Sequence, residues 1–290
     1  MDGTLLSIPA RSRRQAMDWG LVLASQGIEA VINKSEEGWV LLVVPKDYER
    51  AQDALRQYQL ENRGWRWRQP VPEAGLFFHW GSLGWVAAIL AFYYCSAVRF
   101  PGIEGAGILD SEKVQHGQWW RLFTAIALHT NLAHLMANAT TGFFLIGLAM
   151  ARYGAGVALL ASYLAGAMGN VAGLLFYLYP HQSLGASGMV MGALGLVTVQ
   201  SFAFWRNYRL GGRFFFRAVA AGVLILVLLG FSPESDMVAH VGGFVAGAIF
   251  GCLLGLAPSE RWQRAPANVG SSLALAALVL TTWCLALHAA

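Results

Sequence analysis

Seven apolar stretches, each close to the length of a membrane-crossing helix, leave this chain little choice of solvent. They run at about 76–98, 129–150, 155–178, 187–205, 214–230, 237–256 and 269–287. A hydrocarbon core of about 30 Å takes about 20 apolar residues in a helix. Backbone N–H and C=O groups in lipid must find partners within their own segment, so runs of this kind read as helices. Charged residues make up only 12% of the chain and hydrophobic residues 56%, where soluble proteins carry about 25% charged residues. The expected fold class is an all-α polytopic membrane protein.

The charges are unevenly spread. Residues 1 to 74 hold 20 of the 36 charged side chains, ten of each sign, so a small soluble domain is expected over residues 1–68. Its pattern predicts a helix from Arg13 to about Gln26, a strand Glu29–Asn33, a turn at Glu36-Glu37-Gly38, a strand Trp39–Val44 and a helix from Pro45 to about Asn62. A piece of about 60 residues is marginal alone. It holds no cluster of His, Cys or carboxylates, and reads as a cytoplasmic α/β accessory module. Arg63-Gly64-Trp65-Arg66-Trp67-Arg68 reads as an interfacial anchor.

The net charge of +4 comes wholly from the membrane part. It sets orientation and gives no support for a nucleic-acid partner. One side of the expected bundle collects Arg63, Arg66, Arg68, Arg152, Arg206, Arg209, Arg213, Arg217, Arg261 and Arg264, and the other only Arg99, Lys113 and Arg121. This bias places the N-terminus in the cytoplasm and, with seven spans, the C-terminus outside a cell membrane. The long Gly-rich loop from Arg99 to Trp120 is then an outer loop that must do more than connect. Cys95, Cys252 and Cys284 lie in apolar runs without metal-ligand spacing and read as packing residues. Arg11, Arg13 and Arg14 interrupt the first apolar residues, so no cleavable signal peptide is expected.

Polar hazards inside these spans carry the chemistry. Ser187, in Gly185-Ala186-Ser187-Gly188, lies 19 residues before Arg206; His240 lies 20 before Glu260, and His134 lies 18 before Arg152. At 1.5 Å per residue each stands about 27 to 30 Å above the inner boundary. Asn138 shares the face of His134, one turn below. A serine in a membrane helix usually bonds its own backbone or fills a small-residue contact, whereas an ionisable residue at that depth is costly and points to function. Their convergence near one outer level suggests a nucleophile and its base. Gly188 and Gly192 on one span, and Gly243 and Gly247 on another, each give a G-x-x-x-G pattern that lets helices approach as a serine–histidine contact requires.

Together these motifs resemble those of the rhomboid intramembrane serine proteases. Gly185-Ala186-Ser187-Gly188 resembles the family's G-x-S-G, and Ala239-His240 through Gly243 and Gly247 its A-H-x-x-G-x-x-x-G helix. His134 through Asn138 matches H-x-x-x-N, with His129 five residues earlier, and Trp120-Arg121 matches the W-R of the first outer loop. The resemblance covers about residues 76–256. It implies a six-helix core over that range, with 269–287 as an additional span.

By the same resemblance Ser187 would be the nucleophile and His240 the general base, with no acidic third member. His134, Asn138 and the Ser187 backbone N–H would stabilise the oxyanion. Asp236, one turn from His240, reads as a helix-end charge in the cap loop. Met191 stands where members often carry an aromatic residue beside the histidine, and a thioether can fill that space. Met150 stands where an acidic residue is common.

The expected activity is an intramembrane serine endopeptidase acting on transmembrane protein substrates in the lipid bilayer, with no cofactor. A zinc peptidase is disfavoured because H-E-x-x-H is missing. The alternative of another class is a non-catalytic rhomboid-fold protein that binds client membrane helices, a role that needs neither Ser187 nor His240. A transporter ranks third, since its polar residues should line a path across the bilayer.

Overall fold

The computed structural model describes residues 5–35, 38–62, 78–100, 102–207, 211–231 and 235–289. Glu36 and Glu37 of the expected turn, the expected anchor Arg63–Arg68, the first residues of the first expected span, and Arg209 lie outside the described residues. The chain divides into two compact units, residues 1–75 and 76–290.

The first unit is an antiparallel sheet of three strands with two helices. Strands β1 (Leu6–Ala10), β2 (Ala30–Ser35) and β3 (Gly38–Val43) are ordered β1-β3-β2, with Ile8 and Ile32 both opposite Leu41. Strand β1 adds to the two strands expected. Its Pro9 speaks against a strand in the sequence, but an edge strand is where sheets accommodate proline. Helices α1 (Arg13–Ser25) and α2 (Tyr48–Glu61) supply Ala16, Leu23, Ala51 and Leu55 to a core shared with Ile8, Leu41 and Val43. Leu41 and Val43 are buried and Leu42 between them is not, as strand alternation dictates. The Ser12 side chain starts α1 by accepting the Gln15 N–H.

The second unit is helical. It contains α3 (Ser82–Tyr94, running on as a π-helical turn to Arg99), α4 (Leu132–Tyr153), α5 (Ala155–Phe176), α6 (Ser187–Thr198), α7 (Gly211–Gly230), α8 (Met237–Leu254) and α9 (Ala265–His288). Among the described residues, six of these are long and apolar enough to cross a membrane. The exception corrects the expected span 187–205: α6 has 12 residues, and after a break at 199–201 a separate short helix, Phe202–Asn207, follows. Thr198 bonds back to the Leu194 carbonyl through Oγ1 (2.7 Å), a contact that bends helices. Helix α6 also has no lipid face to match, since all its residues except Ser187 and Val197 are buried.

Helices α4, α5, α7 and α8 surround α6. Glycines set the spacing: a Cβ on Gly166 of α5 would come within 2.9 Å of the Met189 nitrogen on α6, and one on Gly247 of α8 would run into the Gly192 carbonyl of α6. Helix α9 is held at both ends. Asn268 accepts the otherwise orphaned Gly156 N–H at the start of α5 (2.9 Å), and Trp283 packs on Gly107, Leu128 and Phe92.

The loop between α3 and α4 is folded. It carries helical turns at Ile103–Gly107 and Ser111–Gln115, and a two-residue strand β4 (Leu109–Asp110) that pairs with β5 (Gln182–Ser183), just ahead of α6. Arg121 is buried within it and donates to Gln118 Oε1 (2.6 Å) and to the carbonyls of Ile108 (2.7 Å) and Gly105 (3.1 Å).

Candidate active site

Ser187 is the first residue of α6. The chain reaches it through Gly185, whose φ of +132° is a conformation that side chains rarely tolerate. The Gly185 N–H is pinned to the Ala125 carbonyl at 2.9 Å, and the Ala186 carbonyl accepts from Val190 at 2.9 Å to close the first turn. The backbone N–H groups of Ser187, Gly188 and Met189 therefore have no partner within the helix and face its N-terminal end, which favours negative charge. Ser187 itself is half-buried, and among the described residues its hydroxyl makes no hydrogen bond.

Two neighbouring helices carry the other expected residues. Asn131 caps α4, its side chain accepting the His134 N–H at 2.8 Å. The His134 imidazole lies directly against Gly185, where a Cβ would come within 2.7 Å of its Cε1 and 2.9 Å of its Nε2. Asn138 is buried and donates through Nδ2 to the His134 carbonyl at 3.1 Å. Asp236 caps α8 through the Ala239 N–H (3.0 Å) and also accepts the Tyr177 hydroxyl (2.9 Å), so it ties the loop after α5 to the start of α8 besides ending a helix.

One turn into α8, His240 is 4% exposed and donates from Nδ1 to the Gly230 carbonyl at 2.6 Å. Gly188 and Gly243 touch across α6 and α8, as do Gly192 and Gly247. Met191 and Met150 are both buried in the apolar core.

Two contributors were not assigned roles from the sequence. His129 is buried and its Nε2 accepts the Ala186 N–H at 3.5 Å, beside the turn that leads into Ser187, with its ring 5.3 Å from that of His134. Its position five residues ahead of His134 was the available signal. The Gly230 carbonyl has no side chain and leaves no mark in a sequence. Among the described residues no three His, Cys, Asp or Glu side chains group as metal ligands.

Six helices long and apolar enough to cross a membrane, four of them packed around a short buried one, define a multi-pass membrane protein. Residues 116–257 match the family model of the rhomboid domain. The chain is 32% identical over 156 residues to Rhomboid protease GluP of Bacillus subtilis (strain 168), a match covering 52% of this chain and 29% of GluP. It is likewise 32% identical over 166 residues to RHOMBOID-like protein 4 of Arabidopsis thaliana (55% of this chain, 40% of that protein). With RHOMBOID-like protein 7 of the same plant it shares 32% over 170 residues (56% and 51%). The chain thus spans between about a third and a half of the length of these relatives. It belongs to the rhomboid family.

Proposed function

We propose that this chain is an intramembrane serine endopeptidase that hydrolyses peptide bonds in or beside the membrane-spanning segments of other proteins. The observation that carries this reading is the placement of Ser187 at the N-terminal residue of α6, with His134 packed on the turn before it and His240 buried on the adjoining helix. In this reading Ser187 Oγ bonds to the substrate carbonyl carbon while its proton passes to His240 Nε2. The tetrahedral oxyanion is held by the Ser187 N–H, Asn138 and His134, fixed donors that count for more where water is scarce. His240 then returns the proton to the leaving amine, and water repeats the cycle on the acyl-enzyme.

The Ser187 hydroxyl need close on His240 only as the carbonyl arrives, because such contacts commonly tighten in the reacting complex. We place the protein in the cell membrane with its N-terminus cytoplasmic, its C-terminus extracytoplasmic and Ser187 open to the outer side, from the arginine bias. Residues 1–68 are assigned an accessory role, 76–256 the catalytic core, and 269–287 the additional span.

A serine-directed fluorophosphonate should label the purified protein, and Ser187→Ala should abolish the labelling. Ser187→Ala and His240→Ala should each abolish cleavage of a model transmembrane substrate at unchanged helical content. Undiminished proteolysis in either variant overturns the assignment. A second reading, a non-catalytic rhomboid that binds client helices, draws on the unpartnered Ser187 hydroxyl, and it gains if no fluorophosphonate labelling is seen.

A further inference from the structure

We propose that the carbonyl of Gly230, the last residue of α7, orients and charges His240 in place of the acidic residue that the dyad lacks. The inference rests on the dyad reading above and adds a positioning group to it. A carbonyl oxygen can only accept, so the 2.6 Å contact assigns the imidazole hydrogen to Nδ1. In the neutral ring this leaves the lone pair on Nε2, at the far edge of the imidazole, as a base requires.

The electrostatics favour the same assignment. Gly230 ends a 20-residue helix. The last carbonyls of a helix have no intrahelical donors and carry its negative dipole end. An imidazolium formed as His240 takes up the serine proton therefore meets partial negative charge already in place. Gly230 and His240 are both buried, so solvent screens that interaction little. The carbonyl is also steadied from a second side by the Ser235 hydroxyl, which donates to it at 3.0 Å.

The acid nearest in sequence is committed elsewhere. Asp236 Oδ1 accepts from Ala239 N and from the Tyr177 hydroxyl, and its main-chain carbonyl accepts the His240 N–H. The glycine itself has a function here. A Cβ at position 230 would lie 3.2 Å from Leu226 Cδ1, 3.5 Å from His240 Nδ1 and 3.7 Å from its Cβ, so a methyl requires Leu226 to give way slightly and a larger side chain would press on the ring.

Ester substitution tests the carbonyl directly. Replacing Phe231 in the full chain by its α-hydroxy acid turns the 230–231 amide into an ester, whose carbonyl is a weaker acceptor. We expect kcat to fall about tenfold with KM unchanged, the scale of a weakened hydrogen bond to a charged group. The same change at Leu224, an exposed position within α7, weakens the Val223 carbonyl instead and should leave kcat within about twofold. In the unsubstituted protein, 15N spectra of labelled His240 should show a protonated Nδ1 and a pyridine-like Nε2 in the neutral ring. The ester at 231 should reduce that preference. A pyridine-like Nδ1, or wild-type kcat in the ester variant, overturns the proposal. The tautomer is read without turnover, so a failure of the dyad itself, seen as activity in His240→Ala, is distinguished from a failure of this assignment. If the ester chain does not fold, the spectrum of the unsubstituted protein still decides.

Discussion

Gly243 on α8 lies so close to Gly188 on α6 that a methyl group on the first would collide with the carbonyl oxygen of the second. The same relation recurs one turn along, at Gly247 and Gly192, and again where Gly195 meets the Phe244 carbonyl. Small residues let the two backbones touch, and this brings the turn of Ser187 to the turn of His240. Gly243→Ala should therefore destabilise the protein by about 1–3 kcal/mol, the usual cost of overpacking. Thermal unfolding in detergent checks this, with Gly270→Ala as reference, since a Cβ at Gly270 meets nothing within 4 Å. Equal stabilities for the two variants would show that the α6–α8 contact is not close in solution.

Asn138 tests the oxyanion reading. Its Nδ2 now donates to the His134 carbonyl, one turn earlier on α4. Asn138→Ala should lower kcat by about 10²-fold, the scale for loss of one oxyanion donor, with binding little changed. Weaker substrate binding at unchanged turnover would mark Asn138 as structural.

Acid should loosen the loop between α3 and α4 through Asp110. Burial works to raise its carboxyl pKa, but the Lys113 N–H, the Gln182 amide and the Lys113 charge outweigh that effect, and the net shift is downward. A carboxylate with a lowered folded pKa contributes stability that is complete above its unfolded value of about 4 and is lost as pH falls through the folded value. Asp110→Asn should remove that part of the acid dependence below about pH 4. The difference in unfolding temperature between variant and parent should shrink on acidification. A constant difference across that range would argue against the capping contacts to Glu112 and Lys113.

The orientation proposed from the arginines has its own test. Single cysteines introduced at Gly105 and after Ala290 should react with an impermeant reagent added outside intact cells, and one at Asn207 should not. The reverse pattern would put the Ser187 end of α6 on the cytoplasmic side.

The sequence was most legible where physics acts over whole segments. Six of the seven apolar runs expected as spans are long helices, because a membrane span must satisfy its backbone internally over about 20 residues. The 187–205 run was read too long, because hydropathy records apolarity and not the neighbours that make a full crossing unnecessary for α6. Strand β1 was missed because Pro9 signals against strands and the sequence does not reveal which strand is an edge. At the site, counting residues brought Ser187, His134 and His240 to one expected depth. That count could not reveal that His134 rests on Gly185, that His129 reaches the Ala186 N–H, or that a backbone carbonyl ten residues before His240 holds its ring. Such contacts depend on loop paths and main-chain atoms, on which side-chain pattern is silent.

On the proposed activity, the shortness of α6 sets a reach that a substrate must satisfy. Twelve residues make a helix of about 18 Å, some 12 Å less than the hydrocarbon core. If the helical chain that resumes at Phe202 reaches the inner side, the shortfall falls on the side of Ser187, deeper than the residue count placed it. In the proposed orientation a scissile bond must descend by that distance. An extended chain advances about 3.3 Å per residue, so about four residues must leave the helical form before a carbonyl can meet the serine. On the proposed activity, a segment stiff enough to stay helical over those four residues would pass the site uncut.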